Sequence, residues 1–284
     1  MINSWVVITG ASRGLGAYLA DVFWNSGWSL VLIARDGEAL SKLVKQMGGR
    51  PSQLIITLTC DLVNAYEVDQ IISELNLFLP RLDVLINNAA IHGPIGPLTE
   101  NDMALWNKAI QVNLVSPVSL CRGLIPLMVK SGGGSIINLS GGGATGPRAN
   151  FTAYATAKAG LVRFSESLAE EVFGKNIRVN CIAPGVMQTE LLSEVVASGV
   201  AAGERELFLA KSAFKAGGDP MKKVGDLALF LAGNKSQNIT GRLISAVWDN
   251  WQNWPNYLDQ LKASDLYTLR RITGRDRDKY WGDL

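Results

Sequence analysis

Short apolar runs rich in β-branched residues alternate along this chain with longer segments in which apolar residues recur every three or four positions. Six of the runs have the length and composition of buried parallel strands: WVVIT, LVLIA, LIITLTC, LDVLI, SIINLS and IRVNCIA. The periodic segments predict helices at residues 14–26, 38–47, 65–78, 101–129 and 154–173. Such alternation predicts right-handed βαβ units and an α/β fold built on a doubly wound parallel sheet.

The pattern also predicts how the chain is divided. No internal repeat or low-complexity linker interrupts it, so we expect one domain over residues 1–245 and an extension over 246–284. Residues 187–218 follow a Pro-Gly turn and predict one or two mobile helices, which form a substrate lid. The extension could pack on the domain, cover a neighbouring subunit or be partly disordered. Packing on the domain is favoured over stacking on a sugar for its tryptophans: Trp248, Trp251, Trp254 and Trp281.

Composition narrows the class of protein. The chain has 284 residues, 48% of them apolar, and a formal net charge of +2, which argues against a nucleic-acid-binding surface. It has no run of eighteen apolar residues and no secretory signal pattern, so we expect a cytoplasmic protein outside the membrane. Cys60, Cys121 and Cys181 lack metal-ligand spacing, so we expect buried thiols and no metal site.

A glycine-rich turn, TGASRGLG, occupies residues 9–16, between the first predicted strand and the first predicted helix. Glycine adopts the backbone angles of a tight turn without a Cβ clash, and it lets a pyrophosphate approach the backbone. The N-terminus of the following helix supplies N–H groups and a partial positive charge. The strand–turn–helix context therefore predicts a dinucleotide site.

A tyrosine and a lysine four positions apart, Tyr154 and Lys158, occur in the stretch AYATAKAG. This spacing places both side chains on one helix face. A free phenol has a pKa of about 10, and a neighbouring cation favours the phenolate. The pair therefore predicts a general acid and base, although an amphipathic surface helix can carry the same pair.

The glycine spacing TGxxxGxG, together with the YxxxK pair, resembles the short-chain dehydrogenase/reductase family. Further landmarks occur in the family's order over about the first 245 residues: Asp61 and Leu62, NNAA at 87–90, Asn113, Ser140, Pro184 and Gly185, and Thr189. The resemblance implies a Rossmann fold and an oxidoreductase that transfers a hydride between nicotinamide and a carbonyl or secondary alcohol. It also implies these cofactor contacts: Gly10, Ser12, Arg13, Gly14, Leu15, Gly16, Arg35, Asp61, Leu62, Asn88, Ala89, Tyr154, Lys158, Pro184, Gly185, Val186 and Thr189.

The resemblance also implies catalytic roles. Tyr154 would be the acid in reduction and the base in oxidation, and Lys158 would bind the nicotinamide ribose. Ser140 would hydrogen-bond the substrate oxygen, and Asn113 would hold a water that links Lys158 to solvent. Other interpretations stay open: Ser140 as a strand-end serine before a glycine turn, and Asn113 as a helix residue that bonds the backbone. His92, the only histidine, is expected near the mouth of the site.

The choice between the two nicotinamide cofactors depends on where the second strand ends. If it ends at Ala34, Arg35 is the first loop residue and can bind a 2′-phosphate, towards which the resemblance also directs Arg13. Asp36 then caps the next helix, and NADP(H) is favoured over NAD(H). If the strand ends one residue later, Asp36 binds the ribose hydroxyls and NAD(H) is favoured.

The resemblance leaves the substrate and assembly broadly defined. It admits small carbonyl or alcohol substrates, among which we lean towards a polar hydroxy or keto compound of carbohydrate origin. It implies a homo-oligomer, dimer or tetramer, assembled through the helices at 101–130 and 154–173. The Trp-rich sequence after Thr240 and Gly241 departs from the family pattern and puts the usual tetramer contacts in doubt.

Two rival functions stay open at this point. Nucleotide-sugar epimerases and dehydratases also place a tyrosine and a lysine four apart, but their glycine spacing and their longer C-terminal domain differ from this chain. A non-catalytic NADP(H)-binding sensor or scaffold is the alternative from another class. Retention of Ser140, Tyr154 and Lys158 disfavours it.

Overall fold

The computed structural model describes residues 4–215, 220–279 and 281. Its seven described strands are β1 (Trp5–Thr9), β2 (Ser29–Ala34), β3 (Ile55–Thr59), β4 (Val84–Asn87), β5 (Gly134–Leu139), β6 (Ile177–Ala183) and β7 (Leu243–Ser245). They form one sheet in the order β3-β2-β1-β4-β5-β6-β7, and every neighbouring pair is parallel. The predicted doubly wound α/β fold is confirmed.

Helices cover both faces of the sheet. They are α1 (Gly14–Asn25), α2 (Gly37–Met47), α3 (Ala65–Phe78), α4 (Met103–Ile110), α5 (Ser116–Lys130), α6 (Thr152–Glu171), α7 (Glu190–Ala197), α8 (Glu204–Lys215), α9 (Pro220–Ala232) and α10 (Leu258–Lys262). Every residue of β1, β2 and β4 is buried, because these inner strands have apolar helix faces on both sides. The chain order of the strands reverses between β1 and β4, where a crevice forms at their carboxyl ends.

The single helix predicted over 101–129 is interrupted by a π-helical turn. α4 and α5 are joined through residues Gln111–Val115, which form that turn and contain Asn113. The stretch Met103–Lys130 is long and apolar enough to cross a membrane by length and composition alone, and half of its most apolar window is buried inside the protein. The apolar residues that give it this character pack against the sheet and α3.

The predicted lid contains two helices, as the sequence pattern indicates. α7 and α8 are joined by a short 3-10 helix, Gly199–Ala202. Residues 216–218 of the predicted lid lie outside the described residues. We use the name lid segment for residues 187–215; its mobility stays a prediction.

Part of the extension packs on the domain. Trp251 and Trp254 are each 5% exposed and join the core cluster that also contains Phe23 and Leu231. Trp248, by contrast, is 84% exposed. The interpretation that the extension packs on the domain is therefore observed for the tryptophans of its 3-10 helix, Trp251–Tyr257.

The extension also covers the outer edge of the sheet. The backbone N–H of Leu243 in β7 donates to the carbonyl of Tyr267 at 2.8 Å. The guanidinium of Arg242 donates to the carbonyls of Ser264 at 3.1 Å and Leu266 at 2.7 Å, and also to that of Leu261. The Leu243 bond satisfies an N–H that an exposed edge strand would present to another chain, and the Arg242 bonds hold the extension against that edge.

We expect Arg242→Met to lower the free energy of unfolding by about 2 kcal/mol, because the carbonyls of the extension lose a charged donor. Chemical denaturation with tryptophan fluorescence measures this loss and reports the environment of Trp251 and Trp254. Arg205→Met, at an exposed position of α8, is the matched control and should change the stability by less than about 0.5 kcal/mol. Equal stability of the two variants would contradict this role of Arg242.

Candidate active site

A cavity of about 1120 Å³ lies at the carboxyl ends of the strands, between the glycine-rich turn and the lid segment. The predicted site residues that line it are Gly10, Ser12, Arg13, Gly14, Leu15, Gly16, Arg35, Asp61, Leu62, Asn88, Ala89, Ser140, Tyr154, Lys158, Pro184 and Thr189. Asn113, Gly185 and Val186 do not line it. The structure thus gathers most of the predicted residues around one crevice, where an open α/β sheet binds its ligand.

The glycine-rich turn forms a cradle that has no room for side chains. A Cβ on Gly16 would lie 2.0 Å from the carbonyl oxygen of Gly10, and Gly10 itself has φ +64°. α1 begins at Gly14 and has no acidic residue in its first turn, so its N-terminal N–H groups favour an anion. The cradle therefore fits the pyrophosphate of a dinucleotide.

The end of β4 is fastened to this turn by Thr9, a contact that the sequence patterns do not indicate. The hydroxyl oxygen of Thr9 accepts the backbone N–H groups of Asn88 at 3.0 Å and Ala89 at 3.1 Å. The Asn88 amide donates to the carbonyl of Thr9 at 2.9 Å. These bonds hold two walls of the cavity at a fixed spacing.

β2 ends at Ala34, as the interpretation that favours NADP(H) requires. Arg35 is the first loop residue, is exposed and lines the cavity. Asp36 is the N-cap of α2, and its carboxylate accepts the N–H of Ala39 at 2.9 Å. The carboxylate that would bind ribose hydroxyls is therefore engaged in capping a helix.

The other predicted phosphate ligand, Arg13, has a partner. Its guanidinium lies 2.9 Å from the Glu190 carboxylate, at the start of α7. Both side chains are largely exposed, so this ion pair is weak and screened by salt. Glu190 lies in the predicted lid, but no pattern in the sequence identifies it as the partner of Arg13.

Tyr154 and Lys158 occupy one face of α6 at the inner end of the cavity. They are 7% and 1% exposed. The Lys158 ammonium donates to the carbonyl of Leu139 at 2.7 Å and lies 5.7 Å from the centre of the Tyr154 ring. The phenol oxygen lies against the backbone of Gly141, where an added Cβ would come within 2.3 Å of it. The sequence spacing therefore identifies the geometry of the pair correctly.

The expectation that Lys158 favours the phenolate stays a prediction, because burial decides the direction of the Tyr154 pKa shift. Burial raises the pKa of Tyr154, because desolvation disfavours the phenolate, and the charge that opposes this rise is that of Arg148. Burial also lowers the pKa of Lys158 to about 8. Tyr154 is therefore a neutral phenol at pH 7, the form that an acid requires.

The hydroxyl of Ser140 lies at the end of β5, and Ser140 is 3% exposed. Its backbone N–H donates to the carbonyl of Ile182 at 2.8 Å. Its buried Oγ has no hydrogen-bond partner among the described residues. A buried hydroxyl that lines a cavity without a partner is suited to bind an oxygen atom of a ligand.

Asn113 does not face the cavity. Its side chain accepts the N–H of Ile91 at 2.9 Å and donates to the carbonyl of Ile91 at 2.7 Å. This is the backbone-bonding interpretation of Asn113, and it fixes the π-helical turn to the chain segment after β4. A role of Asn113 in linking Lys158 to solvent stays a prediction.

Two polar side-chain contacts fasten the lid segment beside Tyr154. His92 lies 3.0 Å from the carboxylate of Glu194 in α7, and its ring centre lies 5.0 Å from that of Tyr154. Arg148 lies 2.8 Å from Glu206 in α8. The expectation that His92 lies near the mouth of the site agrees with this position. Arg148 and Glu206 carry no motif, so the sequence patterns do not indicate them.

The potential metal ligands of the described residues do not form a metal site. Among the described residues, no group of three or more His, Cys, Asp or Glu side chains is placed to hold a metal ion. The three cysteines are buried free thiols.

Comparison with known proteins agrees with the fold. The family model of short chain dehydrogenases matches residues 4–198. The 3-oxoacyl-(acyl-carrier-protein) reductase FabG of Chlamydia trachomatis is 32% identical over 257 residues, which cover 86% of this chain and 96% of that protein.

Solved structures show the same similarity. A putative short chain dehydrogenase from Shigella flexneri, complexed with NADP, has a TM-score of 0.71 and 27% identity, covering 86% of this chain and 96% of that one. A putative NAD(P) dependent gluconate 5-dehydrogenase from Beutenbergia cavernae with bound NADP has a TM-score of 0.74 and 25% identity, covering 86% and 94%. The chain therefore belongs to the short-chain dehydrogenase family and is a nicotinamide-dependent oxidoreductase that acts on CH–OH and C=O groups.

Proposed function

We propose that this protein uses NADP(H) to reduce a polar ketone, or to oxidise the corresponding secondary alcohol, with Tyr154 as the proton donor and acceptor. The observation that carries the proposal is the position of the Ser140 hydroxyl. It is buried, has no hydrogen-bond partner within the described part of the chain, and lines the same cavity as the buried Tyr154 and Lys158. That cavity continues to the glycine-rich cradle.

Each residue has a role that follows from its surroundings. Ser140 donates a hydrogen bond to the substrate oxygen and stabilises the negative charge that develops there. Tyr154, kept neutral by burial, gives its proton to that oxygen in reduction and takes it back in oxidation. Lys158 has its ammonium fixed by Leu139 and binds the nicotinamide ribose. When bound, the cofactor supplies or accepts the hydride.

The lining of the cavity supports a polar substrate, and we propose a hydroxy or keto compound. Gln188, Ser193 and Glu194 from the lid segment lie along the cavity beside the apolar Met187 and Leu191. The similar proteins include one named for 3-oxoacyl groups and one for gluconate. The proposal takes from them only the shared reaction, hydride transfer between nicotinamide and a C=O or CH–OH carbon.

We also propose a cytoplasmic homo-oligomer, with the catalytic domain over 1–245 and the extension over 246–284. The buried free thiols support a reducing compartment. Exposed Met103 and Leu105 on α4 and Val115 and Val129 beyond them support a contact between copies along these helices. The extension covers the edge strand β7. Because the family resemblance implies that a tetramer would form contacts through this edge, its coverage favours a dimer.

The proposed activity is tested with purified protein, NADPH and a set of ketones that includes ethyl acetoacetate. We expect oxidation of NADPH, followed by its absorbance, in equal amount to the alcohol formed. Binding of NADPH without turnover over the whole set of ketones would favour the sensor or scaffold function instead.

Arg35→Gln tests the choice of cofactor. Removal of the guanidinium beside the proposed 2′-phosphate should raise the KM for NADPH by about 30-fold and leave the KM for NADH within about twofold, since one charge-assisted contact contributes about 2 kcal/mol. Steady-state kinetics with both cofactors measures the difference. Lys45→Gln, at an exposed position of α2, removes one charge elsewhere and should change neither value. An equal change for both cofactors in Arg35→Gln would contradict the preference.

A further inference from the structure

Arg148 is a cation beside Tyr154, in the loop between β5 and α6. Its guanidinium lies 3.8 Å from the centre of the Phe151 ring and 5.6 Å from the centre of the Tyr154 ring. The side chain is only 14% exposed. A guanidinium over aromatic faces in a partly desolvated position interacts with them more strongly than at the surface.

The lid segment holds Arg148 in this position. Glu206 of α8 accepts from Nε at 2.9 Å and lies 2.8 Å from an Nη atom, a two-point contact between guanidinium and carboxylate. The Glu206 side chain is 21% exposed. The loop that follows Ser140 is flexible by composition, with Gly141, Gly142 and Gly143, so its position at Arg148 depends on such contacts.

The other titratable groups around the phenol come from different elements. Lys158 lies on the same helix, and its ammonium is directed to the carbonyl of Leu139. His92, from the segment after β4, faces the Tyr154 ring from another side and pairs with Glu194 of α7. Of these groups, Arg148 is the permanent cation that the lid segment orients directly, because its guanidinium stays charged at every pH of interest.

We propose that Arg148 is a positioning residue for the proton transfer: held by Glu206 of the lid segment, its charge favours the ionised form of Tyr154. The inference rests on the proposed role of Tyr154 and adds a link between that residue and the lid segment. It agrees with the direction in which Arg148 shifts the pKa of Tyr154. Glu206 orients Arg148 and partly balances its charge, so the ion pair connects the proton acceptor of the oxidation to the lid segment.

The test compares Arg148→Met and Arg148→Gln with Arg148→Lys and Glu206→Gln. Arg148→Gln keeps a hydrogen-bond donor for Glu206 but loses the charge, and Arg148→Lys keeps the charge but loses the fork. Glu206→Gln removes the balancing carboxylate but keeps an amide oxygen that accepts from the guanidinium, so Arg148 stays over Phe151. Circular dichroism and melting temperature identify any variant that does not fold. Arg148→Gln and Arg148→Met both remove the charge, so either one suffices for the comparison if the other does not fold.

Two readouts are used, of which only one needs turnover. The first is the near-ultraviolet absorbance of tyrosinate during a pH titration of the NADP⁺-saturated protein, with Tyr154→Phe subtracted to isolate Tyr154. The second is the pH dependence of kcat/KM for oxidation of ethyl 3-hydroxybutanoate. In the neutral variants both midpoints should move up by about one pH unit, because a cation at this distance, partly balanced by Glu206, is removed.

The shape of the kinetic profile distinguishes a charge effect from a purely structural one. On the acid side of the midpoint the neutral variants should lose about tenfold in kcat/KM, and the loss should disappear at high pH. Arg148→Lys should restore most of the midpoint, and Glu206→Gln should not raise it. A constant loss at every pH with an unmoved midpoint, or the same shift in Glu206→Gln as in Arg148→Gln, would overturn the proposal.

Failure of the proposed function would look different from failure of this inference. A protein that binds no NADP⁺ or oxidises and reduces none of the test compounds contradicts the function. A working enzyme whose Tyr154 midpoint is unaffected by the charge at position 148 contradicts only the role of Arg148.

Discussion

Replacement of Tyr154 by phenylalanine should lower kcat for ketone reduction by about 1,000-fold and leave the affinity for NADPH within about threefold. The variant removes one oxygen atom and keeps the ring that packs against His92 and Phe151. General acid catalysis contributes about 10²- to 10⁴-fold, so the loss corresponds to about 4 kcal/mol of transition-state stabilisation. Stopped assays with product analysis measure kcat, and quenching of tryptophan fluorescence measures NADPH binding.

The pH dependence provides a sharper criterion than the rate. In oxidation, Tyr154 must lose its proton before it accepts one, so kcat/KM of the wild-type protein should rise with pH through the pKa of the phenol in the cofactor complex. The profile of Tyr154→Phe should lack this rise. Tyr66→Phe, at a position that is 69% exposed, is the matched control and should retain both the rate and the profile. A Tyr154→Phe enzyme with near-normal kcat would sink the assigned role.

Most of the fold is predictable because both faces of the sheet are covered. Helices on both sides make the inner strands continuously apolar, so each of the six predicted strands agrees with an observed one within two residues at either end. The π-helical turn at Asn113 is not visible in the periodicity, because it depends on the tertiary contact of Asn113 with Ile91. α9 begins at Pro220 and was not among the predicted helices.

The residues of the candidate site also fall into two groups, those that the sequence identifies and those that only the structure reveals. The glycines of the turn and the pair Tyr154 and Lys158 are recognisable from the sequence, because their spacing occurs in a strand–turn–helix context and together with the other landmarks of the family. Charges that act through tertiary contacts are not, because the partners of Arg148 and His92 lie 58 and 102 positions away along the chain. The direction of the Tyr154 pKa shift is unpredictable for the same reason, since burial is a property of the whole fold and here it outweighs the nearby charges.

The role of the tryptophans in the extension follows from their packing contacts and not from any sequence motif. Trp251 packs against Phe230 of α9, with ring centres 5.1 Å apart, and Trp254 packs against Tyr267 at 4.3 Å. Arg163 and Glu166 of α6 bind the backbone of Leu269. α6 also carries Tyr154 and Lys158, so the extension supports the outer end of the helix on which the proposed catalytic pair lies. Its sequence predicts burial of tryptophans, but not which helix they stabilise.

Replacement of Gly16 by alanine should abolish measurable binding of NADPH and lower the free energy of unfolding by about 2–3 kcal/mol. The new methyl group would lie 2.0 Å from the Gly10 carbonyl oxygen and 2.6 Å from the Asn88 amide nitrogen. Backbone atoms cannot yield as a flexible side chain can, so the turn must move away from the helix. Movement of this turn displaces the N–H groups that would face the pyrophosphate, and we expect an affinity loss of more than about 100-fold.

Alanine substitutions at two other glycines distinguish the effect of steric overlap from that of backbone strain. Gly14 in the same turn has φ +54°, but a Cβ there would meet only the Thr189 methyl group at 3.7 Å, so Gly14→Ala should cost about 1 kcal/mol and preserve most binding. Gly49, where a Cβ would meet no atom within 4 Å and φ is not left-handed, should tolerate alanine without change in either property. Calorimetric binding of NADPH and chemical denaturation rank the three variants. If Gly16→Ala binds NADPH as well as Gly14→Ala does, the close approach of Gly16 to the Gly10 carbonyl is not what shapes the turn for the cofactor.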